Sequence, residues 1–136
     1  MPTFEEIAET FRHAGADLRL DLLRDYARQL PPLPAPYAEM RDAGVGGVPE
    51  CRSAAVLFAE VEDERVLLYA DAPREAATAR AFLAILHEAF HEKAPATVRT
   101  APDRPLDEMG LSDALGLQRK KGLRALYRRV QQAAAE

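Results

Sequence analysis

The run Ser53-Ala54-Ala55-Val56-Leu57-Phe58-Ala59-Glu60-Val61, continued by Glu62-Asp63-Glu64 and Arg65-Val66-Leu67-Leu68-Tyr69-Ala70, sets the fold class of this chain. Both alternating faces of the first segment are largely apolar, the acidic residues then supply a turn, and a second apolar segment follows. This pattern predicts two antiparallel strands, Ser53–Val61 and Arg65–Ala70. Because both strands are apolar, we expect at least one face of the hairpin to be covered.

Two helices are predicted before the hairpin. Thr3 and Glu6 have the spacing of a capping box, so a first helix should extend from about Thr3 to His13. A second helix opens at Asp17 and ends before the proline-rich segment 31–36, which we expect to be a stiff surface segment. The predicted apolar stripe of this second helix is Leu18, Leu22, Tyr26 and Leu30.

Two further helices are predicted after the hairpin, one from about Arg74 to Glu92 and one from about Gln118. Their inward residues are expected to be Ala79, Phe82, Leu83, Leu86 and Phe90 in the first and Leu123, Leu126, Tyr127 and Val130 in the second. Strands and helices do not alternate along the chain. The sequence therefore predicts an α+β fold, in which a small antiparallel sheet packs against helices from both the N-terminal and the C-terminal side.

The length, composition and net charge of the chain argue against several classes of protein. The 136 residues fit one domain, 1–136, and one cysteine allows no internal disulfide. The N-terminus has no targeting pattern and the apolar segments are too short for a membrane span, so we expect a cytoplasmic protein without a membrane partner. A net charge of −4 argues against nucleic-acid binding. A basic cluster near the C-terminus is either a solvated helix face or a docking patch for an acidic partner: Arg119, Lys120, Lys121, Arg124, Arg128 and Arg129.

Cys51 follows a loop rich in glycine and proline, residues 43–50, and precedes the first strand. A thiol reacts as a nucleophile only where a partner can reach it, and a loop tip meets this condition better than a strand interior. A lone cysteine can equally be a small buried hydrophobic residue. The position of Cys51 favours a working thiol, and its burial is the alternative.

His87-Glu88-Ala89-Phe90-His91 matches the HExxH pattern of zinc hydrolases and lies on a predicted helix. In that pattern two histidines one helical turn apart bind the metal, and the glutamate acts as a general base. Zinc also needs a third protein ligand, and the metzincin continuation fails because Ala94 and Thr97 stand at the glycine and histidine positions. The motif therefore leaves metal binding as the weaker interpretation, and His87 and His91 are expected at the border of the helix's apolar stripe.

Several segments of the chain form a pattern by their order and spacing. A leucine-proline segment follows the second helix, the cysteine loop precedes a hydrophobic strand, and a C-terminal signature places an arginine three residues before a glycine. These segments are Gln29–Pro34, Val48–Ser53, Tyr69–Asp71 with Glu75, Met109–Ser112, Leu115, Arg119 and Gly122–Leu123. Together they resemble the SufE family of sulfur-acceptor proteins in iron–sulfur cluster assembly. Glu50, Arg52, Val56 and Gly116–Gln118 depart from the family pattern.

The resemblance implies a SufE/IscU-like fold and a defined chemistry. A pyridoxal-phosphate cysteine desulfurase of the SufS-like kind would carry a persulfide, and Cys51 would take its terminal sulfur, stimulate the desulfurase and pass the sulfur to an iron–sulfur scaffold complex. Such a carrier needs no cofactor and is a sulfurtransferase-like accessory protein rather than a stand-alone enzyme. Besides Cys51 as the catalytic residue, the implied loop and docking residues are Glu50, Arg52, Ser53, Asp71, Glu75 and Arg119.

The resemblance also suggests that the loop shelters the cysteine at rest and extends it toward the desulfurase. Gly44, Gly46 and Gly47 are expected to provide backbone freedom for this movement. Two alternatives from other classes remain open. One is a minimal zinc-dependent hydrolase that uses the HExxH motif, and the other is a non-catalytic protein-binding module in which the cysteine is merely packed.

Overall fold

The computed structural model describes residues 2–135. The sheet has two antiparallel strands, β1 (Val56–Glu62) and β2 (Arg65–Asp71). The α-helices are α1 (Phe4–Arg12), α2 (Ala16–Gln29), α3 (Ala35–Asp42), α4 (Ala77–Phe90), α5 (Pro95–Arg99), α6 (Pro105–Glu108) and α7 (Leu117–Ala135), with a 3₁₀ turn at Ser112–Ala114. The predicted α+β class, with helices from both sides of the chain around a small sheet, is confirmed.

The hairpin has a two-residue turn. Glu62 pairs with Arg65, and the turn residues Asp63 and Glu64 have φ angles of 53° and 62°. Positive φ at both positions is typical of the type I′ turn, whose twist matches that of the flanking strands. The predicted turn is therefore confirmed. The first strand begins at Val56 rather than at Ser53, because the chain is still turning at Ala54, where φ is 56°.

Helix α1 starts as predicted. The Thr3 hydroxyl accepts a hydrogen bond from the Glu6 amide at 3.1 Å, and the Glu6 carboxylate accepts one from the Thr3 amide at 3.4 Å. This reciprocal pair is the capping box expected from the spacing. The apolar face of the helix, Phe4, Ile7, Ala8 and Phe11, is buried.

The predicted stripe of α2 is wrong at its N-terminal end. Leu18 is 53% exposed, whereas Leu30 is buried and Leu22 and Tyr26 are partly buried against the core. The reason is that a polar side chain fixes this end of the helix. The Arg19 guanidinium donates to the carbonyls of Phe11, Arg12 and Gly110 at 2.8, 3.0 and 3.0 Å.

Helix α3 occupies part of the segment predicted to be a stiff proline-rich connection. Its first turn contains Pro36, and α5 and α6 likewise begin at Pro95 and Pro105. Proline is tolerated in the first turn because the amide hydrogens there have no partner within the helix. The prolines are therefore compatible with all three helices, none of which is predicted from the sequence.

Helix α4 is the centre of the core. It contacts α1, α2, α7 and β2, and all five residues predicted to face inward are buried. The rings of Phe4 and Phe90 stack at a centroid distance of 5.9 Å. The inward residues predicted for the last helix are also buried. Helix α7 contacts both β1 and α4. Its first turns lie close to the cysteine loop that precedes β1, because both line one cavity.

Within the described residues, no helix combines the length and the apolar character that a membrane crossing requires.

Candidate functional site: the thiol cavity

The loop that carries Cys51 is fastened at its base. The Leu57 amide donates to the Gly46 carbonyl at 2.9 Å, and the Val48 amide donates to the Ala55 carbonyl at 3.2 Å. Gly47 also forms an isolated antiparallel bridge with Val56. Residues 48–55 therefore form a loop whose two ends are held together beside the sheet, and Cys51 lies at the tip of this loop.

The glycines before the cysteine serve the base of the loop. Gly46 has a φ angle of 88°, and a Cβ atom there would lie 2.4 Å from the Phe58 ring. A side chain at this position is excluded by both the backbone conformation and the space. Gly44, Gly46 and Gly47 are expected from the sequence to give the loop freedom to move, whereas Gly46 in the structure permits a close approach between the loop and β1.

The Cys51 side chain is buried, with 6% of its surface exposed. Its amide donates to the Val48 carbonyl at 2.9 Å, which closes a turn over the residues between them. On the other side, the thiol packs against Gly122 of α7. The expectation of an accessible thiol at the loop tip is thus wrong for this conformation, and the sheltered conformation suggested by the family resemblance is the one observed.

A cavity of about 170 Å³ lies beside Cys51. Three separate parts of the chain form its walls: the cysteine loop, the segment entering α4 and the first turns of α7. The lining residues are Cys51, Arg52, Ser53, Glu75, Ala76, Ala77, Thr78, Ala79, Gln118, Arg119, Gly122 and Leu123. Arg52, Ser53, Glu75 and Arg119, all predicted from the sequence, are therefore brought together with the thiol.

The charged walls of the cavity have mixed sign. Arg52 and Arg119 contribute guanidinium groups, and Glu75 contributes a carboxylate. An arginine can hold an anionic group through several N–H donors at once, which a lysine cannot do with the same geometry. Two arginines and one glutamate thus line the cavity beside the Cys51 sulfur.

Glu50 and Asp71 lie outside this lining. The Glu50 carbonyl accepts a hydrogen bond from the Gln118 side-chain amide at 3.2 Å. The Asp71 carboxylate instead pairs with Arg41 at 2.7 Å and with Arg80 at 3.0 Å. Asp71 thus joins α3 and α4 to the end of β2 and does not line the cavity beside the thiol.

Gln118 was not predicted as a site residue, although it lines the cavity and bonds to the cysteine loop. Helical spacing could have indicated it. Gln118 and Gly122 are four residues apart in α7, so they lie on the same face one turn apart. Only the structure shows that this face is the one against the loop.

The HExxH motif does not form a zinc site in this structure. Helix α4 ends at Phe90, and His91 has extended backbone angles of −63° and 130°. Among residues 2–135, no three side chains of the types that bind metals come together. His91 instead accepts a hydrogen bond from the Leu68 amide on Nδ1 at 3.0 Å, which satisfies a donor at the open edge of β2. The prediction that both histidines lie on the helix is wrong for His91.

His87 and Glu88, the other two polar residues of the motif, also pack against neighbouring side chains. The His87 ring stacks on His91 at a centroid distance of 4.2 Å, and burial, followed by the nearby His91, lowers the pKa of His87. Glu88 lies beside Tyr26 of α2, and burial followed by this carboxylate raises the pKa of the Tyr26 hydroxyl well above its ordinary value. The motif residues thus join α4 to β2 and to α2.

Comparison with known proteins places the chain in a family. The family model described as SufE, an Fe-S metabolism associated domain, matches residues 5–134. SufE-like proteins of two Mycobacterium tuberculosis strains, CDC 1551 and H37Rv, are 32% identical over 132 residues, which cover 96% of this chain and 90% of each relative. Both relatives are described as uncharacterized.

A solved structure agrees with this assignment. The solution structure of a hypothetical protein from Thermus thermophilus superimposes with a TM-score of 0.80 at 30% sequence identity, covering 97% of this chain and 93% of the other. The chain belongs to the SufE family, whose domain is associated with Fe–S metabolism.

Proposed function

We propose that this protein is a sulfur acceptor and carrier for iron–sulfur cluster assembly. Cys51 takes sulfur from a pyridoxal-phosphate cysteine desulfurase of the SufS-like kind, stimulates that enzyme and passes the sulfur to a scaffold complex. The observation that supports this proposal most is the cavity, which gathers the only cysteine of the chain with Arg52, Ser53, Glu75 and Arg119. Family membership supports the link to Fe–S metabolism.

The transfer is a thiol exchange reaction. The Cys51 thiolate attacks the terminal sulfur of the desulfurase persulfide, a new S–S bond forms, and the old S–S bond breaks with its electron pair on the desulfurase cysteine. The products are a persulfide on Cys51 and a thiolate on the enzyme. No external oxidant is consumed, because the transferred sulfur keeps its oxidation state. For this step the acceptor protein needs to supply only the Cys51 thiolate as nucleophile, and it needs no cofactor of its own.

The cavity suits the product of this step. A water molecule takes about 30 Å³ in the liquid, and one added sulfur atom is of similar size. The volume of about 170 Å³ beside Cys51 therefore has room for the terminal sulfur. The guanidinium groups of Arg52 and Arg119 can hold this sulfur when it is anionic. Since the chain has one cysteine, no second thiol of the same chain can discharge the persulfide as a disulfide.

The docking surface for the desulfurase would surround the cavity mouth. Glu50, Arg52, Ser53, Glu75 and Arg119 are its proposed members, and Leu117, which is 81% exposed beside Gln118, adds an apolar contact. Asp71 would contribute indirectly by holding Arg41 and Arg80 under the loop. We place the reaction in the cytoplasm, a reducing compartment in which a lone thiol persists.

The test is desulfurase turnover, measured as sulfide release from cysteine with a reductant present. The native chain should increase the rate, and Cys51→Ser should not. Val45→Ala is the control, because Val45 is an exposed residue of the segment before the cysteine and does not line this cavity, and the variant should retain the increase. Equal stimulation by the native chain and by Cys51→Ser would contradict the acceptor role.

The burial of Cys51 favours one other candidate, a protein-binding module in which the cysteine only fills the core. In that case Cys51→Ser would lower the free energy of unfolding, because a hydroxyl would replace a buried apolar sulfur. It would also leave every desulfurase assay unchanged. The acceptor proposal differs in the desulfurase assay, because it expects stimulation to be lost in a Cys51→Ser chain that is still folded.

A further inference from the structure

We infer that Gly122 and Gln118 of α7 are positioning residues that set how often the Cys51 loop leaves its sheltered conformation. The inference rests on the contacts between α7 and the loop, and its consequence for sulfur transfer rests on the proposed function. Neither residue needs to touch the transferred sulfur. They would act through the position of Cys51.

Gly122 permits the resting position of the cysteine. A Cβ atom on Gly122 would lie 3.2 Å from the Cys51 Cα, 3.4 Å from its Cβ and 3.4 Å from its Sγ. The first distance is shorter than ordinary van der Waals contact, and it involves backbone rather than the end of a flexible side chain. A side chain at position 122 therefore requires the backbone at Cys51 to shift by a few tenths of an ångström, and we expect this shift to disfavour the sheltered position of the loop tip.

Gln118 and Arg129 hold the loop from the same face of α7. Gln118 donates to the Glu50 carbonyl at 3.2 Å, and Arg129 donates to the Gly47 carbonyl at 3.3 Å. Gln118, Gly122 and Arg129 are spaced by four and seven residues in the helix, which places them in one stripe. The stripe thus contacts the loop near its base through Arg129 and at its tip through Gln118 and Gly122.

The tip is fastened less firmly than the base. In the part of the chain that the structure describes, the backbone of residues 49–54 has two hydrogen bonds, from the Cys51 amide to Val48 and from Gln118 to the Glu50 carbonyl. Because one of these is internal to the loop, only the Gln118 bond and the packing on Gly122 attach the tip to α7. The tip can therefore open while the bonds at Gly46 and Ala55 stay intact.

The experiment measures the rate at which a thiol reagent such as dithionitrobenzoate labels the folded chain. One cysteine means that the signal reports on one site. Gly122→Ala should label about tenfold faster, because overpacking of this size costs the closed state about 1.4 kcal/mol, and 1.4 kcal/mol is a tenfold change in an equilibrium. Gly122→Val should label faster still. Gln118→Met, nearly the same shape without the donor, should give a smaller increase of about threefold.

Thermal unfolding separates positioning from general damage. Alanine is a better helix former than glycine by up to about 1 kcal/mol, which offsets most of the cost to the closed state, so Gly122→Ala should change the Tm little while labelling becomes faster. Gly15→Ala, where a new Cβ meets nothing within 4 Å, should leave the labelling rate unchanged. Labelling should also depend only weakly on added urea below the unfolding transition, since local opening exposes little surface.

Labelling of Gly122→Ala at the native rate would overturn the inference. It would also be overturned by faster labelling that occurs only with a lower Tm and a steep dependence on urea, because the thiol would then be reached through global unfolding. The proposed function fails separately, through the desulfurase assay with Cys51→Ser. A faster-labelling Gly122→Ala in a protein that accepts no sulfur would leave the positioning role intact and remove only its consequence.

Discussion

The thiol cavity and the histidine pair at the end of α4 differ in how they appear in the sequence and in the structure. His87 and His91 belong to one contiguous motif, yet they stack on each other, and His91 bonds to β2, without assembling a three-ligand group in residues 2–135. Cys51 has no contiguous motif of comparable strength, yet three distant segments converge on it. A site is therefore recognised by convergence in space, and a short motif alone predicts it poorly.

The largest expected effect separates these two regions directly. The double variant His87→Gln/His91→Gln should accept sulfur from a desulfurase at the native rate, whereas Cys51→Ser should accept none. The reason is that only the thiol is the nucleophile in the proposed exchange. Single-turnover sulfur transfer measures both variants. Loss of transfer in a folded double histidine variant would restore the motif as part of the functional site.

The next effect concerns the charged wall of the cavity. Arg119→Ala should slow sulfur transfer about tenfold, because a charge-assisted hydrogen bond contributes about 1.5–3 kcal/mol when the partner is charged. Arg119→Lys should recover part of the rate. Arg124→Ala is the matched control, since Arg124 lies in the same helix but lines a different cavity. An equal effect of the two alanine variants would point to the overall charge of α7 instead.

A third effect is on stability. Asp71→Asn removes the carboxylate between Arg41 and Arg80, and all three side chains are only partly exposed, so the free energy of unfolding should fall by about 2 kcal/mol. Asp25→Asn breaks an ion pair with Arg28 in which both side chains are largely exposed. This control should change stability by less than about 0.5 kcal/mol. Urea unfolding distinguishes the two, and equal small effects would show that the Asp71 ion pairs contribute little to stability.

The smallest effect is the pH dependence of the histidine region. Burial and His91 hold the pKa of His87 below its ordinary value of 6.5, so the unfolded chain binds the proton more readily than the folded chain. Stability from this group is therefore present above about pH 6.5 and is lost as the pH falls toward the folded-state pKa. His87→Gln should reduce this slope in urea unfolding measured at several pH values. An unchanged slope would assign the dependence to other groups.

The fold was largely predictable, because the signals were local and strong. The turn at Asp63 and Glu64, the Thr3 capping box and the inward faces of α4 and α7 all follow from spacing within one element. The exposed Leu18 was not predictable in this way. Its helix end is held by Arg19 bonds to carbonyls that are far apart in sequence, those of Phe11 and Gly110, and that partnership leaves no local pattern.

Several residues that surround Cys51 were predictable from the sequence, but their geometry was not. The position of Cys51 and the family resemblance indicated Arg52, Ser53, Glu75 and Arg119, which all line the cavity. Whether the thiol is buried depends on the contact with Gly122, and this contact joins residues that are distant in sequence. The same separation explains why Gln118 was missed and why Asp71 was expected at the docking surface.

The most direct test of the central claim is the intact mass of the chain after incubation with a cysteine desulfurase and cysteine. If Cys51 accepts sulfur, the mass of the native chain should increase by one sulfur atom. A reductant should reverse this increase, and Cys51→Ser should not show it. An unchanged mass, with a desulfurase shown to be active, would contradict the claim that Cys51 accepts sulfur. The family assignment would then describe the fold without this chemistry.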